Sequence, residues 1–174
     1  AALIMAALST IIRSEAQTQI EIDKLLESIN NSLYNLISEE GFFATIVLVK
    51  YWPVSGKMQL ALGGHLQPLW IVDNGIENLP QMNGISLGVM PNALFEKHEI
   101  MLSPGESVLL FTDGVIEAEN EDKELFGNNR LVRYIKDNKG SPRGKGLLDE
   151  IRIWRGNAKV NDDLTLLEIW RDQV

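Results

Sequence analysis

The sequence predicts an α+β chain in which helices pack on antiparallel sheets. Three observations lead there. No Pro or Gly interrupts the chain before Gly41, and its apolar residues recur at helical spacing. The middle of the chain breaks into short β-branched or alternating apolar runs separated by turn signals. Two further amphipathic stretches then precede one last apolar strand.

Taken in order, Leu3 to about Gln19 reads as an Ala-rich helix. A second helix runs from about Ile20 to Ser38, with Ile22, Leu25, Leu26, Ile29, Leu33, Leu36 and Ile37 on one stripe and Gly41 past its end. Thr45–Val49 is dense and β-branched, as in a strand buried on both faces. Pro53–Gly56 is turn chemistry, and Lys57–Leu62 returns as a hairpin with Met58, Leu60 and Leu62 on one face. Leu69–Val72, the turn Asp73-Asn74-Gly75 and Ile76–Leu79 form a second hairpin. A loop covers Pro80–Pro91. Lys97–Leu102 is a strand, Ser103–Glu106 a turn, and Ser107–Phe111 a buried strand that runs into Thr112-Asp113-Gly114. Helices follow at Asn128–Asn138, with Leu131, Val132 and Ile135 inward, and at Leu147–Trp154 after the break Ser141–Gly144. Leu164–Trp170 closes the chain as a strand led in by Asn161-Asp162-Asp163.

Composition excludes several functions. The 174 residues carry 16 basic and 24 acidic side chains, a net charge of −8 that disfavours nucleic acid as a partner. No cysteine is present, which removes disulfides, Cys-ligated zinc, c-type haem and thiol nucleophiles, and fits a reducing, cytoplasmic compartment. With only His65 and His98, any metal must be held mainly by carboxylates, which favours Mg²⁺ or Mn²⁺. The apolar opening Ala1–Leu8 is too short for a membrane span and lacks the basic flank of a signal peptide. It reads as a helix that starts abruptly, so the natural beginning is expected upstream.

Two acidic spots share one design. Asp113 sits just past an apolar strand and is followed by Gly114, whereas Asp162 and Asp163 sit just before another. Carboxylates at strand ends suit a hard cation, and two that meet repel each other unless a cation lies between. The plain alternative is that Thr-Asp-Gly is an ordinary turn and Asp before a strand is common. Gly63-Gly64-His65 is a third spot, where paired glycines permit close backbone approach and His65 could contact a phosphate. The favoured reading of His65 is a hydrogen-bonded loop residue. His98 reads as a surface residue, the acidic run Glu117–Glu124 as a solvated loop, and the four tryptophans as core or rim packing.

The motifs in order resemble the bacterial metal-dependent Ser/Thr phosphatases of type 2C, the branch of SpoIIE and RsbU. The resemblance spans the chain. It runs from Ala1–Ala6 through Phe43-Ala44-Thr45, Gly63–Leu69 and Leu87-Gly88-Val89. It continues through Leu102–Ala118, Phe126-Gly127 and Asn161–Leu167. Its most specific stretch is Leu102–Ala118. It implies a four-layer αββα sandwich of two antiparallel sheets flanked by helix pairs, holding two Mn²⁺ or Mg²⁺ ions. Asp113 and Asp162 would ligate a metal, with Gly114 and Asp163 behind them and Gly63, Gly64 and His65 as a possible substrate loop. No side chain would act as nucleophile, because a metal-activated water attacks the phosphorus. The family's first metal motif, a Gly-Asp-Val-Ser-Gly-like stretch, would precede Ala1. Residues 1–174 are therefore expected to be one N-terminally incomplete domain, the C-terminal output of a larger regulator, poorly active alone. Leu66 and Gln67 replace the family's Asn-Pro but touch no implied ligand.

The resemblance also implies partners. The substrate would be a phosphorylated STAS-type anti-sigma-factor antagonist, and a sensor or receiver domain would lie upstream. The two N-terminal helices would act as the regulatory switch. A competing reading is a catalytically degenerate module that binds a partner protein. A third is a homodimer formed through the first helix.

Overall fold

The computed structural model describes residues 2–17, 21–37, 41–73, 75–140 and 142–172. The chain divides into two compact units, one made of Ala1–His65 and Pro80–Met101, the other of Leu66–Leu79 and Leu102–Val174. Each has an antiparallel sheet with helices against it, as the α+β reading anticipates.

In the first unit, helices α1 (Ala2–Glu15) and α2 (Ile22–Ile37) pack beside a sheet of order β1-β2-β5. The strands are β1 (Ile46–Tyr51), β2 (Lys57–Gly63) and β5 (His98–Met101). The α2 stripe works as the spacing requires: Ile22, Leu26, Ile29, Leu33 and Ile37 are buried against Ala61, Leu87 and Phe95. Leu36, placed on that stripe by sequence, is instead 58% exposed, because it lies at the margin of the last turn. The expected helix ends at Thr18, Gln19, Ile20 and Ser38 lie outside the described residues.

Two strand readings need correction. β1 is half-buried along its whole length rather than buried on both faces, because among the described residues it lies at the sheet edge. The central strand β2 is the one covered on both sides, so Gln59 and Ala61 are buried along with Met58, Leu60 and Leu62. Gln59 tolerates this because its amide donates to the Glu99 carboxylate at 2.5 Å. His98 on β5 is half-buried too, its Nε2 3.5 Å from Glu96.

One buried polar residue escaped the sequence reading. Asn30 is fully buried in α2. Its Nδ2 donates to the Met90 carbonyl and its Oδ1 accepts from Gly88 N–H, each at 3.0 Å. It thereby satisfies backbone of the long loop that periodicity could not connect to the helix.

The second unit carries the sheet β4-β3-β6-β7, from β3 (Leu69–Val72), β4 (Gly75–Glu77), β6 (Ser107–Phe111) and β7 (Leu166–Trp170). Of the expected Asp73-Asn74-Gly75 turn, Asn74 lies outside the described residues, as does Ser141 of the later break. Helices α3 (Gly127–Asp137) and α4 (Gly144–Arg155) contribute Leu131, Ile135, Leu147 and Ile151 to a core with Ile71, Leu109, Phe111, Val115 and Phe126. Phe126 meets Trp154 edge to face at 6.4 Å, and Arg130 lies 3.6 Å from that indole's centre.

α4 begins three residues before the predicted Leu147. The reason lies on β7: the Glu168 carboxylate accepts the backbone N–H of Arg143 at 2.5 Å and of Gly144 at 3.1 Å. It stands in for a local cap at the helix start. Ser107 donates to the same carboxylate at 2.9 Å, tying β6, β7 and α4 together.

Candidate functional site

β6 and β7 pair antiparallel, from Ser107 opposite Trp170 to Phe111 opposite Leu166. This register sets the end of β6 beside the start of β7. The pairing goes one step beyond the strands, since Thr112 N–H donates to the Thr165 carbonyl at 3.1 Å. Asp113 follows on one side of that step, and Asp163 and Asp162 precede it on the other.

Thr112 fixes the crossing further. Its hydroxyl donates to the Asp163 carbonyl at 3.2 Å and accepts from Thr165 N–H at 3.0 Å. Thr112 lies in the Leu102–Ala118 stretch that carries the resemblance, but its bonds to the segment before β7 are not visible in the sequence. Substituting Thr112→Val keeps the shape and removes both bonds. At about 0.5–1.5 kcal/mol per hydrogen bond, a loss of about 1–2 kcal/mol in unfolding free energy is expected by urea denaturation.

Asp113 opens a 3₁₀ turn, Asp113–Val115. Its carbonyl accepts Ile116 N–H at 2.9 Å and Glu117 N–H at 2.8 Å. Its Oδ1 accepts Gly114 N–H at 3.1 Å, which orients the carboxylate. Val115 anchors the turn in the core. Gly114 is buried against the opposite segment: a Cβ there would lie 2.5 Å from the Asp163 carbonyl oxygen. Only glycine allows so close a crossing.

Asp162 Oδ1 accepts the N–H of Asp163 at 2.7 Å. Asp113, Asp162 and Asp163 are all exposed, so their charge reaches solvent. A depression beside them is lined by Gly114, Glu117, Glu119, Arg155, Lys159 and Asp162. Glu119 at its rim is held below the usual carboxylate range, first by a hydrogen bond from Lys123 and then by one from Asn161.

The structure thus brings Asp113, Gly114, Asp162 and Asp163 to one crossing of the chain. Gly63, Gly64 and His65 belong to the first unit. The glycine pair has a packing reason there. A Cβ on Gly64, whose φ is +69°, would fall 2.2 Å from Ser86 Oγ, and one on Gly63 would fall 2.9 Å from Ile46 Cγ2. The acidic run Glu117–Glu124, expected as a solvated loop, is exposed at Glu117, Glu121, Asp122 and Glu124 and is in addition closed by an antiparallel bridge between Glu119 and Leu125.

Does this arrangement suit a cation? The donor chemistry does. Two exposed carboxylates are hard oxygen ligands, and Mg²⁺ is commonly held by one or two carboxylates with water filling its other positions. Among the described residues, no group of three or more His, Asp or Glu side chains gathers to hold a metal. Asp113 and Asp162 would by themselves supply only part of a ligand set.

Two antiparallel sheets with flanking helices match the phosphatase domains of PP2C type. The chain belongs to the family of Stage II sporulation protein E (SpoIIE), whose profile matches residues 1–172. Among solved structures, the SiaA-PP2C domain of Pseudomonas aeruginosa superposes with a TM-score of 0.82 at 18% identity, covering 98% of this chain and 70% of that one. The manganese-presoaked phosphatase domain of SpoIIE from Bacillus subtilis gives 0.63 at 15% identity, covering 96% and 74%. Protein IcfG of Synechocystis sp. is 29% identical over 135 residues, which is 75% of this chain and 21% of that protein's length. The chain thus spans about a fifth of that relative. No helix among the described residues is long and apolar enough to cross a membrane.

Proposed function

We propose that this chain is the catalytic module of a metal-dependent protein phosphatase that hydrolyses phosphoserine or phosphothreonine. The observation that carries the reading is the stitched crossing of β6 and β7, which joins Asp113 to the Asp162-Asp163 pair through Thr112 and Gly114. Asp113 and Asp162 would hold Mn²⁺ or Mg²⁺, while Asp163 keeps the loop in place through its backbone. A bound cation of this kind supplies Lewis-acid stabilisation of phosphoryl charge and an acidified water.

The chain's own part is positional. Gly114 N–H donates to one oxygen of Asp113, an exposed residue. Asp163 N–H does the same for Asp162. Each bond favours one orientation of its carboxylate before a phosphoryl group arrives, and such preorganisation contributes to transition-state stabilisation. His65, with Gly63 and Gly64, is proposed as a substrate loop.

The proposed substrate is a phosphorylated STAS-type antagonist of an anti-sigma factor, with a sensor or receiver domain upstream in the parent protein. Residues 1–174 would serve as its single C-terminal output domain, acting in the cytoplasm. A second reading, a degenerate module that binds its partner without turnover, draws on the partial ligand set. Incubating the chain with a phosphoserine-bearing STAS-domain protein and Mn²⁺ separates the two. Slow, Mn²⁺-dependent phosphate release is expected. A stable complex with no release would establish the binding module instead.

A further inference from the structure

The segment 156–165, which delivers Asp162 and Asp163, takes neither helix nor strand. From the β6 side it is held by Thr112 and Gly114. A second set of contacts reaches it from the acidic run that follows Asp113.

That run is a built element. Asn120 is buried, and its Oδ1 accepts the N–H of Asp122 at 3.0 Å and of Glu124 at 2.8 Å. Phe126 N–H donates to Ala118 O and Gly127 N–H to Ile116 O, both at 2.8 Å, closing the hairpin base. Lys123 takes a positive φ of 66° at its tip. Glu121 then projects to the other segment, where its Oε1 accepts Asn157 N–H at 2.8 Å. The fit is close enough that a Cβ on Gly156 would lie 2.8 Å from the same oxygen. Glu119 accepts Lys123 Nζ at 3.1 Å within the hairpin.

We propose that Glu121 is a positioning residue for the metal site: the hairpin that follows Asp113 grips Asn157, and so sets where Asp162 stands relative to Asp113. The inference rests on the metal-site reading above. Its physical content is simple. An irregular segment carrying a charged ligand close to a second carboxylate drifts outward under their repulsion unless its backbone is held. Thr112 holds the segment after Asp162, and Glu121 holds it before.

The test uses Mn²⁺ alone on the 174-residue chain. Paramagnetic broadening of the Gly114 and Asp163 amide signals is followed as Mn²⁺ is added. Partners that orient metal ligands are typically worth about 10–100-fold in affinity, and Glu121 acts one bond further out. Glu121→Ala is therefore expected to raise the Mn²⁺ concentration for half-broadening by about 3–10-fold. Glu121→Gln keeps an acceptor oxygen for Asn157 N–H and is expected to stay within about twofold. A merely structural or electrostatic role would not give this split. If Glu121→Ala titrates like the wild type while Asp162→Asn is impaired, the positioning role is wrong and the metal site stands. If Glu121→Gln loses as much as Glu121→Ala, charge rather than position is responsible, and the inference also fails. If Asp162→Asn itself titrates like the wild type, the site reading falls and takes this inference with it.

Discussion

Gly114→Val is expected to dislodge the Asp162-Asp163 segment and to destabilise the second unit. The cause is space, not backbone angle. The first added carbon would stand 2.5 Å from the Asp163 carbonyl oxygen and 3.1 Å from its carbon, and both are backbone atoms that no rotamer change can move. Forcing extra carbons into a packed site costs about 1–3 kcal/mol, and valine's two further methyls push toward the upper end. The crossing can yield only by giving up bonds to Thr112, adding to that cost. Urea unfolding should show the loss, and the Asp163 amide signal should shift strongly. Gly144→Ala is the control, because nothing lies within 4 Å of its added carbon. It should change stability by less than about 0.5 kcal/mol. If Gly114→Val were as benign as the control, the close crossing would not be what holds the two acidic spots together.

Asp113→Asn is expected to remove phosphate release while leaving the fold intact. The amide is nearly the same shape, and its oxygen can still accept Gly114 N–H. What is lost is one negative charge at the end of β6. A loss of about 100-fold or more in turnover is expected, some 2.7 kcal/mol of barrier at 1.36 kcal/mol per tenfold. Asp162→Asn should behave alike, with an unchanged melting temperature in both. Asp163→Asn should cost less, under about tenfold, since Thr112 grips the backbone carbonyl of that residue and not its carboxylate. Equal losses at Asp162 and Asp163 would reassign the ligand.

Much of this fold was legible because its signals are local. Ser107–Phe111 reads as a strand to the residue: an apolar run bounded by Pro104-Gly105 before and Asp113-Gly114 after. The α2 stripe likewise follows from spacing alone, except for Leu36 on its last turn. Burial of strands was less legible. Thr45–Val49 has the composition of a central strand, but among the described residues β1 lies at a sheet edge, and edge or centre is decided by topology. The start of α4 was misjudged because its capping group is Glu168, on another element.

The candidate site divides the same way. Asp113 and Asp162 stood out as strand-end acids, and the β6–β7 pairing that brings those ends together was a condition the sequence could pose but not decide. The grip of Glu121 on Asn157 spans 36 positions and leaves no periodic trace. Five acids in one short run look like solvated charge by composition. Their order depends on the buried Asn120 and on a positive φ at Lys123, which residue type alone does not announce.

The central claim is that Asp113 and Asp162 share one divalent cation. Calorimetric titration of Mn²⁺ into the wild-type chain and into Asp113→Asn tests it most directly. Wild type should bind, and the substituted chain should bind about tenfold more weakly or worse while melting at the same temperature. Equal binding by both would take Asp113 out of the site and contradict the claim.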